Sequence, residues 1–549
     1  MNSFTSTWSE RRRLAGGLAG GLMLAAAFPK IGVAGLAWVA PGVILLAALG
    51  ARSPFRMGYA AGLAFHLAAL HWLLFIPVRF YPILGWLALA GYLALFPATW
   101  CWLCARAEGG ADSWVRRTAW ALFCAVAWVG LEMVQARLFT GFPWNLLSES
   151  QYRLLPLIQI ASVTGEYGVT FLVVWFAASL LLLARGLARE PANRTAWMGN
   201  IILPMLAGAV LYAAGLAKML HEPRSDRAIT IALVQPSIPQ KLIWAESAGA
   251  ARFEEVLKLS TRAFATKPDL VIWPEAAVPS LPRWDTNLWR AITNHVVDGG
   301  AWLILGADDA VPRGPKEEDY YNSSFLVSPR GELAATYRKR RLVIFGEYVP
   351  LVRWLPFVKW LTPISGGFTP GDGPVPFDIP ELAARMKVLI CFEDVFPHGV
   401  PEYVTPDTDF LVNITNDGWF GEGAAHWQQA ANAVFRAVEN GLPLVRCANN
   451  GLSCWIDASG GMHEVYFGDS PDIYQAGIKT MRVPLLPGGH TRPPTFYNQH
   501  GDWFGWGCVG VAGGFALWQL GRRSINPASL TPPWPACLTT LWRSRRKEV

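Results

Sequence analysis

Three short apolar runs of this chain end in a residue whose side chain could do covalent or acid–base chemistry. Glu275 closes DLVIWPE, Lys339 follows LAATYR, and Cys391 follows KVLI. Runs of this length and β-branched content read as buried strands. A carboxylate, an ammonium and a thiol at strand ends can converge at one edge of a sheet. The thiol is useful as thiolate, and a free thiol with a pKa of ~8.5 needs help near neutral pH. Taken singly, each residue also has a plainer reading: Glu275 as a capping carboxylate, Lys339 as a solvated cation, Cys391 as a small core residue.

The elements that must position these groups lie between residues 225 and 490. ITIALVQP, DLVIWPE, WLILGAD, SFLVSP, KVLICFED, FLVNITND and PLVRCANN read as strands. Ala250 to Ala265 and Trp427 to Asn440 have helical spacing, and in the second Ala430, Ala433, Val434, Ala437 and Val438 make one apolar face. Alternation of this kind gives an α/β domain with its own core.

The rest of the chain is different in kind. With 549 residues, 52% of them apolar and 16% charged, it is too oily for a soluble enzyme of this length. Its mean hydropathy is positive. A membrane helix needs roughly 20 mostly apolar residues. Segments near 14–28, 32–50, 57–77, 84–104, 118–137, 166–184, 198–217 and 503–521 approach that pattern. The expected fold is a membrane α-helical bundle of about eight spans plus an α/β domain. Residues 1–217 supply seven helices, 225–490 the α/β domain, 503–521 a last span and 522–549 a basic tail. Arg11, Arg12 and Arg13 before the first segment give it some look of a signal peptide. More spans follow at once, so it reads as an uncleaved helix.

Charge placement orients the spans. Arginines flank alternate loops, at Arg52 and Arg56, at Arg106, Arg116 and Arg117, at Arg185, Arg189 and Arg194, and in the tail. The positive-inside rule then puts residues 218–502 on the outer side, the periplasm of a cell with two membranes. The formal net charge of +7 is spent at span ends rather than on a continuous stripe. With no zinc-type spacing and no Gly-rich phosphate loop, this excludes a nucleic-acid partner and points to the bilayer. Cys101 and Cys104 form a CxxC inside an apolar run and read as packing, while pairing of Cys447 with Cys454 stays open. His66, His71 and Glu132 are costly in lipid and must face the bundle interior or an aqueous cavity. The histidines read as structural; for Glu132 a structural role and a head-group site both stand.

Four motifs occur in order in the α/β region: WPE at 273–275, YRKRRLVIFGEYVP at 337–350, CFED at 391–394 and NDGWFG at 416–421. On these the region resembles the nitrilase superfamily. The surrounding spans, with GFPW at 141–144, VQPSIPQKLIW at 234–244 and CANNGLS at 447–453, make the whole chain similar to its membrane-embedded apolipoprotein N-acyltransferase family. The resemblance implies an α-β-β-α sandwich and no metal or other cofactor. It implies Glu275 as general base, Cys391 as nucleophile, and Lys339 as the cation that favours thiolate and holds the oxyanion. The backbone N–H after Cys391 is a second oxyanion donor. Glu347 holds Lys339 or assists proton transfer, and Glu393 orients the nucleophile loop or is purely structural.

The implied reaction is ping-pong. Cys391 takes an acyl chain from a phospholipid, typically phosphatidylethanolamine, as a thioester. The α-amine of an S-diacylglyceryl cysteine on an apolipoprotein then takes it as an amide. This implies a multi-pass protein of the bacterial inner membrane with its catalytic domain in the periplasm. Departures from the family pattern are Phe392, where some relatives carry tyrosine, Ile344, and HWQQ at 426–429. Residues 351–368 hold an apolar stretch too short to span, including Trp354, Phe357 and Trp360, flanked by Arg353 and Lys359. It reads either as a buried helix or as a lid resting on the membrane. Those three aromatics, with Trp244, Phe392 and Trp419, are the candidate substrate contacts. A membrane-tethered amidase using water as acceptor and a non-catalytic scaffold are the rival readings. The many spans argue against the first, and retention of all three reactive residues against the second.

Overall fold

Small residues and capping serines set the architecture of the N-terminal half. In the computed structural model, residues 8–108, 113–189, 194–221, 225–243, 245–314, 317–350, 367–468, 470–487 and 491–525 are described. The candidates Trp244, Trp354, Phe357 and Trp360, the flanking Arg353 and Lys359, and residues 526–549 of the basic tail lie outside them. The principal helices are α1 (Glu10–Ala27), α2 (Ala40–Ala48), α3 (Pro54–Ala69), α4 (Tyr81–Leu93), α5 (Leu95–Ala107), α6 (Trp114–Gln135), α7 (Tyr167–Arg189) and α8 (Arg194–Leu220). Ser9, Ser53 and Ser113 cap α1, α3 and α6 by accepting from a backbone N–H three residues on, which satisfies donors that a helix start leaves unpaired. Glycines let the helices touch. A Cβ on Gly21 of α1 would lie 2.1 Å from the Ala61 carbonyl oxygen of α3, and one on Gly58 of α3 2.5 Å from the Pro97 oxygen of α5. Close approach through small residues is how helices associate where lipid offers no hydrophobic drive.

Helices occupy the eight expected places, but among the described residues four are long and apolar enough to cross a membrane by length and composition. These are Tyr81–Ala107, Trp114–Gln135, Tyr167–Arg189 and Met198–Leu220. α1 spends part of its 18 residues on three arginines, and α2 and α3 stop after 9 and 16 residues. Cys101, Cys104 and Cys124 are free and buried, as packing residues are. Cys447 and Cys454 are free as well.

The second half folds as two six-stranded sheets. The first has the order β12 (Gly477–Pro484), β1 (Ala228–Gln235), β2 (Leu270–Ile272), β3 (Trp302–Gly314), β4 (Glu317–Val327), β5 (Leu333–Arg338). The second runs β11 (Met462–His463), β10 (Cys454–Ile456), β9 (Leu444–Ala448), β8 (Phe410–Thr415), β7 (Ala384–Ile390), β6 (Pro376–Ile379). β1–β2–β3 and β7–β8–β9 are the parallel cores, with antiparallel strands on their flanks. Alternate residues of the first sheet face opposite ways. Ile229, Ile231, Leu270, Ile272 and Ile304 join the inter-sheet core, while Ala232, Val234, Val271, Leu303 and Leu305 pack on α9 (Gly249–Phe264) and α10 (Thr286–Gly299).

On the far side of the second sheet lies α11 (Ala425–Asn440), in which every residue except Trp427 is buried. Its alanines and valines share one apolar cluster with the second sheet and the bundle. Its polar side chains meet the bundle directly. Arg436 donates to Glu166 at 2.7 Å and to Glu439 at 2.8 Å, and Gln428 accepts from the indoles of Trp72 and Trp144 at 3.0 and 2.8 Å. The layers are therefore helix, sheet, sheet, helix and then bundle. A last helix, α12 (Trp503–Ile525), returns to pack on α6.

Candidate active site

Each of the three reactive residues sits where a strand has just ended, and the two sheets bring them to one place. Glu275 follows β2, and Lys339 is the residue after β5; Cys391 is the residue after β7. Two of these exits turn through left-handed backbone, at Ala276 with φ 53° and at Cys391 itself with φ 53°. A non-glycine residue rarely adopts that conformation, and its cost of about 1–3 kcal/mol must be held by surrounding contacts. At Cys391 two side-chain amides do the holding. Asn413 and Gln429 each donate to its carbonyl oxygen at 3.0 Å.

The charges are arranged around Lys339, which is 1% exposed. Its ammonium donates to Glu347 at 2.8 Å and to Glu275 at 3.4 Å. Asn322 on β4 clamps the two carboxylates together, donating to Glu275 Oε1 at 2.7 Å and to Glu347 Oε1 at 3.0 Å. The other Glu275 oxygen accepts from the Asn416 N–H at 2.9 Å, and the other Glu347 oxygen from the Val343 N–H at 2.8 Å. Burial alone would lower the Lys339 pKa, but the Glu347 and Glu275 carboxylates outweigh it and hold the ammonium well above its ordinary range. Lys339 is thus a fixed positive charge. The Cys391 thiol is pushed well up, by burial first and then by the Glu275 charge, with Lys339 pulling the other way.

Glu393 ties the two sheets together at this edge. Its oxygens accept from the Ile390 N–H at 2.8 Å, the Arg340 N–H at 2.8 Å, the Arg341 N–H at 3.1 Å and the Tyr337 hydroxyl. It so joins Ile390, the residue before Cys391, to Arg340 and Arg341, the residues after Lys339. Phe392 points at the bundle: its ring lies 6.0 Å from Trp144, stacked, and 6.1 Å from Phe142. GFPW and the residue after Cys391 thus form one aromatic wall. Trp419 lies in the turn Asp417–Phe420 after β8, where the Phe420 ring meets Trp72 at 4.6 Å.

Several residues at this site were not singled out from the sequence. Asn322 sits in an ordinary-looking YYNSS, and Asn413 is one asparagine in a strand otherwise read as core. HWQQ did stand out, and it supplies Gln428, Gln429 and His426. The last faces Asp417 at 3.5 Å. Of the bundle residues, His66 is buried and His71 exposed. Glu132 accepts from Trp128 and from the Leu147 N–H, both at 2.8 Å, so it fastens the segment that follows GFPW. Among the described residues no three His, Cys, Asp or Glu side chains are grouped to hold a metal ion.

Known proteins match both halves. Residues 20–179 match the apolipoprotein N-acyltransferase N-terminal domain, and residues 230–478 match the carbon-nitrogen hydrolase family. The apolipoprotein N-acyltransferase of Geobacter metallireducens is 36% identical over 518 residues, covering 92% of this chain and 95% of its own. That of Caulobacter vibrioides is 31% identical over 511 residues, covering 85% and 92%. Among solved structures, an amidase of the nitrilase superfamily from Nesterenkonia AN1 aligns with 51% of this chain and 95% of its own, at 18% identity and a TM-score of 0.35.

Proposed function

The chain belongs to the apolipoprotein N-acyltransferase family, and on that footing we propose that Cys391 carries an acyl chain from a phospholipid to the N-terminal amine of diacylated lipoproteins. The activity is acyl transfer in lipoprotein biosynthesis, with lipid and lipoprotein substrates, and the chain is a membrane protein. The donor is a phospholipid such as phosphatidylethanolamine, and the acceptor nitrogen is that of an S-diacylglyceryl cysteine.

In the first half-reaction Glu275 takes the thiol proton as the sulfur attacks the ester carbonyl. The Lys339 ammonium and the Phe392 N–H, which lies in the first turn of a short helix and has no partner there, receive the oxyanion. Collapse breaks the ester C–O bond. The departing lysophospholipid oxygen takes the proton from Glu275, and a thioester remains. In the second half the amine attacks that thioester, the C–S bond breaks, and Cys391 regains a proton.

One observation carries this reading. Phe392, beside the nucleophile, stacks on Trp144 of the bundle, so the thiol stands where the α/β domain meets an apolar, lipid-facing unit. A soluble substrate would need no such wall. The alternating basic loops support eight spans in a bacterial inner membrane, with residues 225–490 in the periplasm between a seven-helix bundle at 1–217, a last span at 503–521 and a cytoplasmic tail at 522–549.

Intact-mass measurement tests the reading. Incubated with phosphatidylethanolamine vesicles, the full-length protein should gain one acyl mass on Cys391, which a diacylated peptide with a free N-terminus then collects as an amide. Cys391→Ser should gain none, and Lys339→Ala should acylate ~10²–10³ more slowly, as typically follows loss of an oxyanion donor. An adduct discharged only to water would make the protein a hydrolase. Near-normal acylation of Lys339→Ala would remove that residue from the mechanism.

A further inference from the structure

The inner face of the first sheet can be followed along β3 two residues at a time. Trp302 and Ile304 belong to the inter-sheet core. Gly306 continues the row: a Cβ there would lie 2.7 Å from the Glu275 Cα and 2.9 Å from Ile414 Cδ1. The absence of a side chain lets the Glu275 turn lie across the strand. The next inner position is Asp308. In the register it stands opposite Asn322 on β4, and facing residues of an antiparallel pair keep their Cβ atoms about 5 Å apart. Asn322 is the clamp that holds Glu275 and Glu347, so Asp308 is the next side chain outward from it. Asp309 points the other way, where it is buried and paired with Arg283 and Arg338.

Asp308 is exposed, in a strand whose preceding residues from Trp302 to Ala307 are all buried. Among the described residues it has no ion pair and no hydrogen bond. The titratable groups facing it are Glu275 beyond β2, Lys339 at the end of β5 and Glu347 beyond it. The residue as a whole is exposed, yet protein crowds around its carboxyl. That loss of water, and then the Glu275 and Glu347 charges, push its pKa up to about 7 against the pull of Lys339. The steps assigned to Glu275, Lys339 and Cys391 leave this carboxylate unused.

The chemistry of the second half-reaction leaves a task undone. An α-amine, with a pKa of ~7.7–8.0, arrives at neutral pH mostly as ammonium. To become an amide nitrogen it must lose two protons, and the returning thiolate takes only one. Glu275 is 7% exposed, and its oxygens are engaged by Asn322, Lys339 and Asn416. It can shuttle a proton within the site, but these partners and its burial leave it poorly placed to pass one to water.

We propose that Asp308 receives the ammonium of the incoming lipoprotein N-terminus and takes the first of its two protons. The carboxylate and ammonium become a carboxylic acid and a neutral amine, and the amine attacks the thioester. The second nitrogen proton passes through Glu275 to the departing Cys391 sulfur. Asp308, being exposed, then returns its proton to solvent, so the cycle closes with one proton released. The inference rests on the thioester reading above. Ammonium groups also occur on phospholipid head groups, and the test separates the two sources.

Full-length enzyme would be acylated separately with phosphatidylethanolamine and with phosphatidylglycerol, which lacks an ammonium. A diacylated peptide is then added and transfer followed by quenched mass measurement. Relative to wild type, Asp308→Asn should transfer at least ~10-fold more slowly at about pH 6.5 and within ~2-fold at about pH 9, where the amine arrives neutral. Asp308→Glu should recover most of the loss. Transfer equal to wild type at both pH values, or an equal loss at both, would overturn the proposal. So would a defect confined to acylation by phosphatidylethanolamine, which would assign the carboxylate to the donor head group. If wild type forms no thioester at all, the underlying reading fails instead.

Discussion

The two halves of the sandwich are built from the same parts and live in different surroundings. In the half formed by the first sheet, α9 packs one face on the strands and turns Glu254, Lys258, Thr261 and Arg262 to solvent. In the half formed by the second sheet, α11 does the same with its apolar face but buries its polar one against the bundle. The reaction centre divides along this line. Glu275, Lys339, Glu347 and Asp308 come from the solvent-side half, and Cys391 with its aromatic neighbour Phe392 from the bundle-side half. The charged cluster thus belongs to the half whose outer helix meets water, and Cys391 to the half whose outer helix packs on the bundle. Amphipathic spacing reveals which face of a helix meets its sheet. It does not reveal whether the other face meets water or protein.

The sharpest way to break the contrast is Arg436→Met. It keeps the side chain's bulk but leaves Glu166 and Glu439 without their cation in a site where Arg436 is fully buried. Removing one partner of a buried pair typically costs about 3–5 kcal/mol. Thermal unfolding of the full-length protein should show a correspondingly large drop in Tm. A drop no larger than that of an exposed substitution would mean that the polar face of α11 is held by something else. Gln428→Met is the intermediate case. It deprives the Trp72 and Trp144 indoles of their acceptor and the Pro29 and Ala69 carbonyls of their donor. Each buried polar group left unpaired costs about 1–3 kcal/mol, partly relieved by relaxation, so a loss of about 2 kcal/mol is expected, again read as Tm. The smallest effect belongs to Lys258→Ala on α9, whose only ion pair among the described residues is a loose 3.8 Å contact with Glu255. Its stability should stay within about 0.5 kcal/mol of wild type. A larger change would show that the outer face of α9 is covered in the assembled protein.

The seven runs read as strands from their apolar, β-branched content are all strands, because each is buried on at least one face and bounded by turn residues. Four strands escaped that reading for physical reasons, among them β6, which is only four residues long. β10 and β11 are only three and two residues long. β12, GIKTMRVP, alternates Lys479 and Arg482 with apolar residues and reads weakly, yet it pairs with β1 over eight residues. Residues 250–265 and 427–440 were legible as helices within a residue or two. Legibility failed at the second face of α11. Its amides, Gln428, Gln429, Asn432 and Asn440, differ from the lysines and glutamates of α9, and that difference is the trace the bundle leaves in the sequence. The reactive residues were legible because motifs carry them. Asn322 and Asp308 were not, because their importance lies in the register between β3 and β4, which no local pattern encodes.

The neighbours Gln428 and Gln429 carry one further implication, for the order in which the working enzyme comes into being. Successive residues on a helix project about 100° apart, since a turn holds 3.6 residues. Gln428 grips the bundle while Gln429 grips the Cys391 carbonyl and Asp394. Rotation of α11 into place therefore seats both contacts at once. The bundle, made from the first 220 residues, leaves the ribosome before α11 exists, so the template precedes the part it shapes. Until the helix docks, the Cys391 turn lacks one of the two amides that hold its left-handed backbone. The Cys391 turn accordingly acquires its second amide only when α11 docks between the second sheet and the bundle.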